Sequence, residues 1–218
     1  MARPATNHEA RKAAIIEAAL DCFTRYGYDG ATNKRIAEAA GMKSAGIIYH
    51  YFPSKEDLFQ ACLERVSAFD TMRETLAAIQ NDPPDLFLRK VGAAYLTMMR
   101  EDQRLVRLFL LVFSSVHSHP ELPPLALRRV VPAFIQPLFA YLQGQVELGV
   151  LRPLPPVSVA LQLFGPLAMR AITNHLSPMA LPVPQIADDV FVDTLVQTFL
   201  DGARMRGDAI PPEGGHSH

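Results

Sequence analysis

The sequence predicts an all-α protein. Apolar residues recur at spacings of three and four along nearly the whole chain, and no run alternates apolar and polar as a half-buried strand would. Breaks containing glycine or proline cut the periodic stretches into helix-sized pieces. With 218 residues, 49% of them hydrophobic, the chain is long enough to bury a sizeable core in one large domain or two small ones.

Between Arg11 and Tyr26, the residues Ala14, Ile15, Ala18, Ala19, Cys22 and Phe23 form one helical stripe, which "YGYDG" ends with two glycines. Thr32 is suited to cap a second, short helix over Asn33–Ala40, with Ile36, Ala37 and Ala40 facing inward. Gly41 ends it as a residue free to take positive φ. A third short helix fits Ala45–Tyr51. Ser54 caps a fourth, with Asp57 three residues on in a capping-box arrangement. Its apolar face, Leu58, Phe59, Cys62, Val66 and Phe69, predicts a helix continuing to about Ile79. Further helices fit Leu86–Arg100, Gln103–Ser115, Leu125–Gly149, Pro156–Leu176 and Gln185–Arg206. Pro132 and Pro137 inside the third of these predict a kink or a later helix start. "RPLPP" and "SPMALPVPQ" read as connectors, and residues 207–218 as a disordered tail. The expected domains are therefore a head of three short helices over residues 1–55 and a larger helical body over 56–206.

Composition excludes several classes. Two cysteines, Cys22 and Cys62, make neither a disulfide framework nor a zinc set, and both fall in apolar helical patterns as reduced core residues would. The most apolar run, Leu105 to Val116, is too short to cross a bilayer. The N-terminal residues have no long apolar stretch after their charges, unlike a signal peptide, so a cytoplasmic protein without membrane association is expected. "GMKSAG" spaces its glycines as a phosphate loop does, but no Lys-Ser/Thr follows and no strand precedes. His117 and His119 are two apart, a spacing that fits a helix end or loop better than a metal site. No nucleophile elbow or HExxH occurs, so neither an enzyme nor a cofactor or metal is expected.

One stretch carries chemistry: "AAGMKSAGIIYHYFPSKEDLF", Ala39 to Phe59. A helix of about eight residues, a glycine turn and a second short helix make a helix-turn-helix pattern. Ile48 and Phe52, four apart, share the inward face, which leaves Tyr49 and His50 on a free one. Small Ser44, Ala45 and Gly46 permit close approach to a major groove, while Tyr49, His50 and Tyr51 supply groups for phosphates or base edges. Lys55 opens the next helix, whose free N–H groups also attract phosphate. The whole chain has a formal charge of −1, yet Thr32 to Lys55 holds four cations (Lys34, Arg35, Lys43, Lys55) against one anion, Glu38. Binding phosphates requires such a local patch.

Thr32, Ile36-Ala37, Ala40-Gly41, Gly46, Ile48-Tyr49, Tyr51-Phe52, Ser54-Lys55-Glu56 and Leu58, with "IIEAALDCFTRYGYDGAT" upstream, resemble the signature of TetR/AcrR-type transcriptional regulators over roughly residues 12–60. The resemblance implies a DNA-binding head on an all-α body that takes a small-molecule effector and dimerises through its last two helices. It implies phosphate contacts near Thr32, Asn33, Tyr49, Tyr51 and Lys55, and base or groove contacts from Lys34, Ser44, Ala45, Gly46 and His50, with Lys43 a candidate for a phosphate or a base. Two departures stand out. Eleven residues separate Ala40 from Phe52 where that family usually has ten, and Ile47 replaces a common threonine.

The body is read from residue type. Met98, Met99, Phe109, Phe113, Phe164 and Met169 suit the lining of an apolar effector cavity, with His117, Gln162, Asn174 and His175 as orienting polar groups. Broad apolar faces with Leu163, Leu167 and Arg170 on one of the last helices, and Val192, Leu195, Val196 and Phe199 on the other, suit a homodimer interface. The expected function is a ligand-released, operator-binding repressor. The alternatives are an all-helical enzyme with an incidental helix-turn-helix, or a DNA-binding module regulated by a protein partner.

Overall fold

The computed structural model describes residues 7–175 and 186–204. The expected tail, the "SPMALPVPQ" connector and the outer ends of the two helices beside it lie outside these residues. The described residues form helices joined by short turns, with a single antiparallel bridge, Leu151 to Arg204, and no named strand.

Helix α1 (Asn7–Gly30) is broken near its end by Gly27, at φ 73°, and closes with one more turn. α2 (Asn33–Ala39) and α3 (Gly46–Tyr51) follow as expected, to within a residue. The expected long fourth helix is two helices, α4 (Lys55–Arg65) and α5 (Ala68–Ile79). Val66, at φ −74° and ψ 98°, leaves helical geometry and turns its buried side chain into the head core. Neither glycine nor proline marks this break. The apolar spacing through Val66 and Phe69 stays helical, so periodicity alone joins the two pieces.

α6 (Pro84–Glu101) starts with Pro84 in its first turn, where a missing N–H costs nothing. Asp102 separates it from α7 (Gln103–Ser114) and caps the latter by accepting from the Arg104 N–H at 3.0 Å. α8 (Leu122–Val130) begins three residues earlier than the sequence suggests, because Pro123 and Pro124 fall within its first turn and do not block it. A π-helical turn over Val131–Ile135 then joins α8 to α9 (Gln136–Glu147). Pro132 lacks the N–H that would close an ordinary turn, and the widened turn absorbs the loss, closed by Gln136 N–H donating to the Val131 carbonyl. α10 (Pro156–His175) and α11 (Asp188–Ala203) complete the body.

Leu122–Glu147 is, by length and composition, the one helical stretch among the described residues that matches a membrane span. Here it packs along α4 and α5, and Arg128 and Arg129 on it bond to Gln60 and Asp70.

Two apolar clusters organise the chain. The body cluster joins α5, α6, α9, α10 and α11 through residues such as Leu76, Phe87, Val91, Leu138, Leu163 and Val196. The head cluster joins Ile15, Phe23, Ile36, Ile48, Phe52 and Phe59, and it also takes in Leu105, Leu108 and Leu111 of α7 and Leu122 of α8. Met98 and Met99, at the end of α6, pack against both. Cys22 and Cys62 are buried free thiols in the head cluster.

α6 meets α11 closely at Gly92, where an added Cβ would lie 2.8 Å from Cγ1 of Val192. Gly92→Val is therefore expected to lower the unfolding free energy in a urea titration by about 1–3 kcal/mol, the usual cost of overpacking.

Candidate nucleic-acid interface

The turn between α2 and α3 is fixed at both ends by local hydrogen bonds. The Thr32 hydroxyl accepts from the Arg35 N–H at 3.3 Å and caps α2. At the other end Gly41, at φ 69°, donates to the Glu38 carbonyl at 3.1 Å, and Met42 donates to the Ala37 carbonyl at 2.8 Å. These two bonds together form a Schellman cap. Ser44 then launches α3: its hydroxyl accepts from the Gly46 N–H at 3.2 Å and its carbonyl from the Ile47 N–H at 3.3 Å. The turn from Gly41 to Ala45 joins the two helices with no non-glycine residue at positive φ.

Ile48 and Phe52 are buried behind α3, so the opposite face points outward. Tyr49 is 62% exposed, and Lys43, Ser44, Gly46 and His50 are exposed beside it. Ala45, Ile47 and Tyr51 are half-buried. Lys34 faces solvent with a loose 4.0 Å pair to Glu38, and Asn33 is half-buried at the start of α2. A Cβ on Gly46 would meet only the Ser44 hydroxyl, at 3.5 Å. Nothing inside the chain therefore demands a glycine there; what its bareness leaves is a flat outer surface.

The four cations of this segment are not equivalent. Arg35 donates to the Gly30 carbonyl at 2.7 Å and lies over the Tyr26 ring. Lys55 is half-buried, its ammonium 4.6 Å from the Tyr28 ring centre, and burial lowers its pKa against the opposing pull of Asp29 and Glu56. Lys34, Arg35 and Lys43 are all exposed, but only Lys34 and Lys43 of the four are free of a bond or ring contact that turns them back onto the head core.

The start of α1 adds residues that the sequence reading passed over. The His8 ring stacks at 4.7 Å on Tyr51, and the Lys12 ammonium sits 5.9 Å from the Phe52 ring centre. Their place in the basic opening "NHEARK" is the only sequence signal, and it points to no particular neighbour.

In the body, a cavity of 140 Å³ lies between α6, α7 and α10, lined by Leu96, Met99, Arg100, Gln103, Ala171, Asn174 and His175. Beside it the Asp188 carboxylate accepts from Arg170 at 2.8 Å and from Asn174 at 3.1 Å, with Arg100 at 3.5 Å. Burial opposes ionisation of Asp188, but these hydrogen bonds and charges outweigh it and hold its pKa below the usual range. Of the residues expected around an effector, the structure brings Asn174, His175 and Met99 to this cavity. Met98 packs between the two clusters instead. Phe109 and Phe113 stack on each other at 5.0 Å, with Phe113 68% exposed, and His117 is exposed. Phe164 packs on Phe134 at 4.4 Å, and Met169 points outward at 58% exposure. The cavity drawn from Phe109, Phe113 and Met169 is thus not assembled in this chain. A second, open groove of 400 Å³ lies in the head between Cys22, Tyr26, Arg35 and their neighbours.

Most of the residues expected at a dimer interface are turned into the body of their own chain. Leu163, Leu167, Val192, Val196 and Phe199 are buried in the body cluster, Leu195 is half-buried against it, and Arg170 is held by Asp188. The outward apolar stripe on α10 is Val157, Leu161 and Met169, at 71%, 69% and 58% exposure, with Val190 exposed on α11.

Comparison with known proteins agrees with this architecture. Residues 15–62 match the family described as bacterial regulatory proteins, tetR family, and residues 87–202 match the AefR-like transcriptional repressor, C-terminal domain. The chain belongs to the TetR family. It is similar to the HTH-type transcriptional regulator RutR of Escherichia coli, with 29% identity over 207 residues, 90% of this chain and 92% of that protein. The HTH-type transcriptional repressor Rv1474c of Mycobacterium tuberculosis is 41% identical over 85 residues, 36% of this chain and 44% of that one. Among solved structures, the fatty acid degradation regulator FadR from Bacillus halodurans superposes with a TM-score of 0.66 at 22% identity, covering 94% of this chain and all of that one.

As a TetR-family member the chain is a DNA-binding transcription regulator, with the helix-turn-helix in the head and a helical C-terminal domain. The TetR-family head depends on the Gly41 cap. An added Cβ there meets nothing within 4 Å, so the cost of Gly41→Ala is purely that of a left-handed backbone. That substitution is expected to destabilise by about 1–2 kcal/mol, read from denaturant unfolding.

Proposed function

We propose that the chain works as a cytoplasmic homodimer that represses transcription by placing α3 in the major groove of operator DNA and is released by a small-molecule effector. One observation carries the DNA-contact assignment: the outward face of α3, with Tyr49, His50 and bare Gly46, backed by buried Ile48 and Phe52. Lys34, Ser44, Ala45, Gly46 and His50 are the groove-facing set. Thr32, Asn33, Lys43, Tyr49, Tyr51 and Lys55 are the phosphate set. Lys55 reaches a phosphate by leaving the Tyr28 ring, so its contribution is smaller than that of Lys43. The test is fluorescence anisotropy with the DNA upstream of the chain's own gene. Lys43→Ala is expected to weaken binding and to flatten the slope of log K against log salt by ~1. An unchanged slope removes Lys43 from the interface.

The dimer rests on the outward stripe of α10 together with the exposed side of α11. Two helices from each protomer would form a four-helix interface, and an obligate interface buries ~2,000 Å² or more. Leu161→Asp with Met169→Asp is expected to give folded monomers in sedimentation. Leu163→Asp should instead unfold the body, because Leu163 lies in its core.

The effector enters between α6, α7 and α10. Its apolar part meets Leu96, Met99 and Ala171, and a hydrogen-bonding group meets Asn174, Gln103 and His175. At 140 Å³ the cavity is below the ~300 Å³ at which ligand pockets usually begin, so binding widens it and shifts the helices around it. A ligand at a hundred times its Kd stabilises the native state by ~2.7 kcal/mol. In a thermal-shift screen of amphipathic metabolites and drugs, a hit should lose its effect in Ala171→Phe and keep it in Phe113→Ala. The opposite pattern places the site on α7.

A further inference from the structure

We infer that His119 is a proton-dependent latch between the DNA-binding head and the body. The inference rests on the reading of residues 7–55 as a DNA-binding head.

His119 lies on the short segment between α7 and α8. That segment is anchored at both ends: the His119 N–H donates to the Ser115 carbonyl at 2.7 Å, and Leu122, three residues on, is fully buried in the head cluster. The imidazole sits between two carboxylates. Its Nε2 is 2.9 Å from Asp29, at the end of α1 in the head, and its Nδ1 is 3.0 Å from Glu121, on its own segment. The ring also meets the Tyr28 ring edge to face at 4.5 Å. On that ring lies the Lys55 ammonium, and the Tyr28 hydroxyl donates to Glu56 at 3.1 Å. The charged and titratable groups around the latch are therefore Asp29 and Tyr28 from α1, Glu121 from the segment itself, and Lys55 and Glu56 from the start of α4.

The chemistry follows from counting protons. A carboxylate only accepts, and a neutral imidazole has one N–H and one lone pair. Neutral His119 can donate to Asp29 or to Glu121 but not to both, and the other carboxylate would then face a lone pair. The imidazolium satisfies both at once. The arrangement as a whole, with Asp29 of the head and Glu121 of the segment held on one ring, is complete only with the proton in place. The hydrogen bond to Asp29 is the main reason that the His119 pKa is raised, against a smaller opposing effect of desolvation. A raised folded-state pKa puts the latch at full strength below the ordinary value of about 6.5 and removes it as pH rises through the higher folded value.

The apolar cluster still holds head to body when the latch opens, but the head's position is less narrowly fixed. It must be ordered again before both heads can meet successive grooves, so operator affinity should fall. Asp29 is mostly exposed, so each pair is screened and its effect on affinity is about twofold to fivefold per protomer.

The experiment uses the full chain and has three arms. First, the His119 ring is titrated by NMR without DNA. It is expected to titrate above the ordinary value in the wild type and to drop in Asp29→Asn with Glu121→Gln. Equal values overturn the latch. Second, thermal midpoints of wild type and His119→Gln are compared from pH 6 to 9. The gap should be widest near pH 6 and close toward pH 9, and a gap independent of pH overturns it. Third, operator affinity is followed over the same range. His50 lies on the outward face of α3, so His50→Gln supplies the background. The wild-type fall with pH should persist in His50→Gln and disappear in His119→Gln; identical slopes in wild type and His119→Gln overturn the coupling to DNA. Failure to bind any operator at any pH counts against the DNA-binding reading, while the first two arms still decide the latch.

Discussion

The head has no apolar core that belongs to it alone. Ile36 and Ile48 come from two helices of seven and six residues, too short to be stable in isolation. They are held because Phe23, Phe52 and Phe59 close over them, and because Leu105, Leu108, Leu111 and Leu122 of the body complete the same cluster. Everything the head presents outward, including the face of α3, is oriented by packing shared with α7 and α8. A rearrangement of the body that moves α7 must therefore move the head, since close-packed cores shift as units rather than deform smoothly. Met98 and Met99 extend this dependence, because they touch both clusters at the end of α6 and Met99 also lines the body cavity.

The polar contacts between head and body follow the same geography. Glu17 of α1 meets Arg65 of α4 at 3.4 Å and Arg104 of α7 at 3.7 Å. These pairs are solvent-exposed, worth at most about 1 kcal/mol each. They select one arrangement among those that the apolar cluster permits, whereas the cluster supplies the energy. Lys55 shows how tightly the two roles are interleaved. It stands at the first position of α4, where phosphate would be welcome, yet its ammonium rests on Tyr28, the ring that His119 also contacts. Engaging a phosphate and bracing the junction therefore draw on the same side chain.

What was legible in the sequence was whatever is decided locally. The caps at Thr32, Gly41 and Ser54 lie where residue type alone places them, because each depends on a hydrogen bond within three or four residues or on a positive φ. The inward pair Ile48 and Phe52 was legible for the same reason, four residues apart on one helix. The break at Val66 was not. It is imposed by a distant partner, the head core that the Val66 side chain enters, and it carries no local mark. The π turn at Pro132 was half legible: proline requires some disturbance of the helix, but its form depends on α5 packed against it. His119 stood in a loop as its spacing suggested, and its meaning came only from Asp29, ninety residues away in sequence.

The burial of Leu163 and Leu167 on α10 has a more specific cause. α10 carries two apolar rows, each with a repeat of four. Val159, Leu163, Leu167 and Ala171 form one, and Val157, Leu161 and Met169 lie on the other, with Gly165 between the last two. Two residues apart on a helix is a rotation of roughly 200°, so the rows lie on nearly opposite sides. By composition they are interchangeable, and periodicity gives no ground for assigning one inward. The choice is made by fit to α6 and α11, where Gly92 opens room for Val192 and the inner row closes the body core. The outer row, Val157, Leu161 and Met169, stays exposed among the described residues. A helix apolar on two sides calls for two partners, and the described residues of the body supply one.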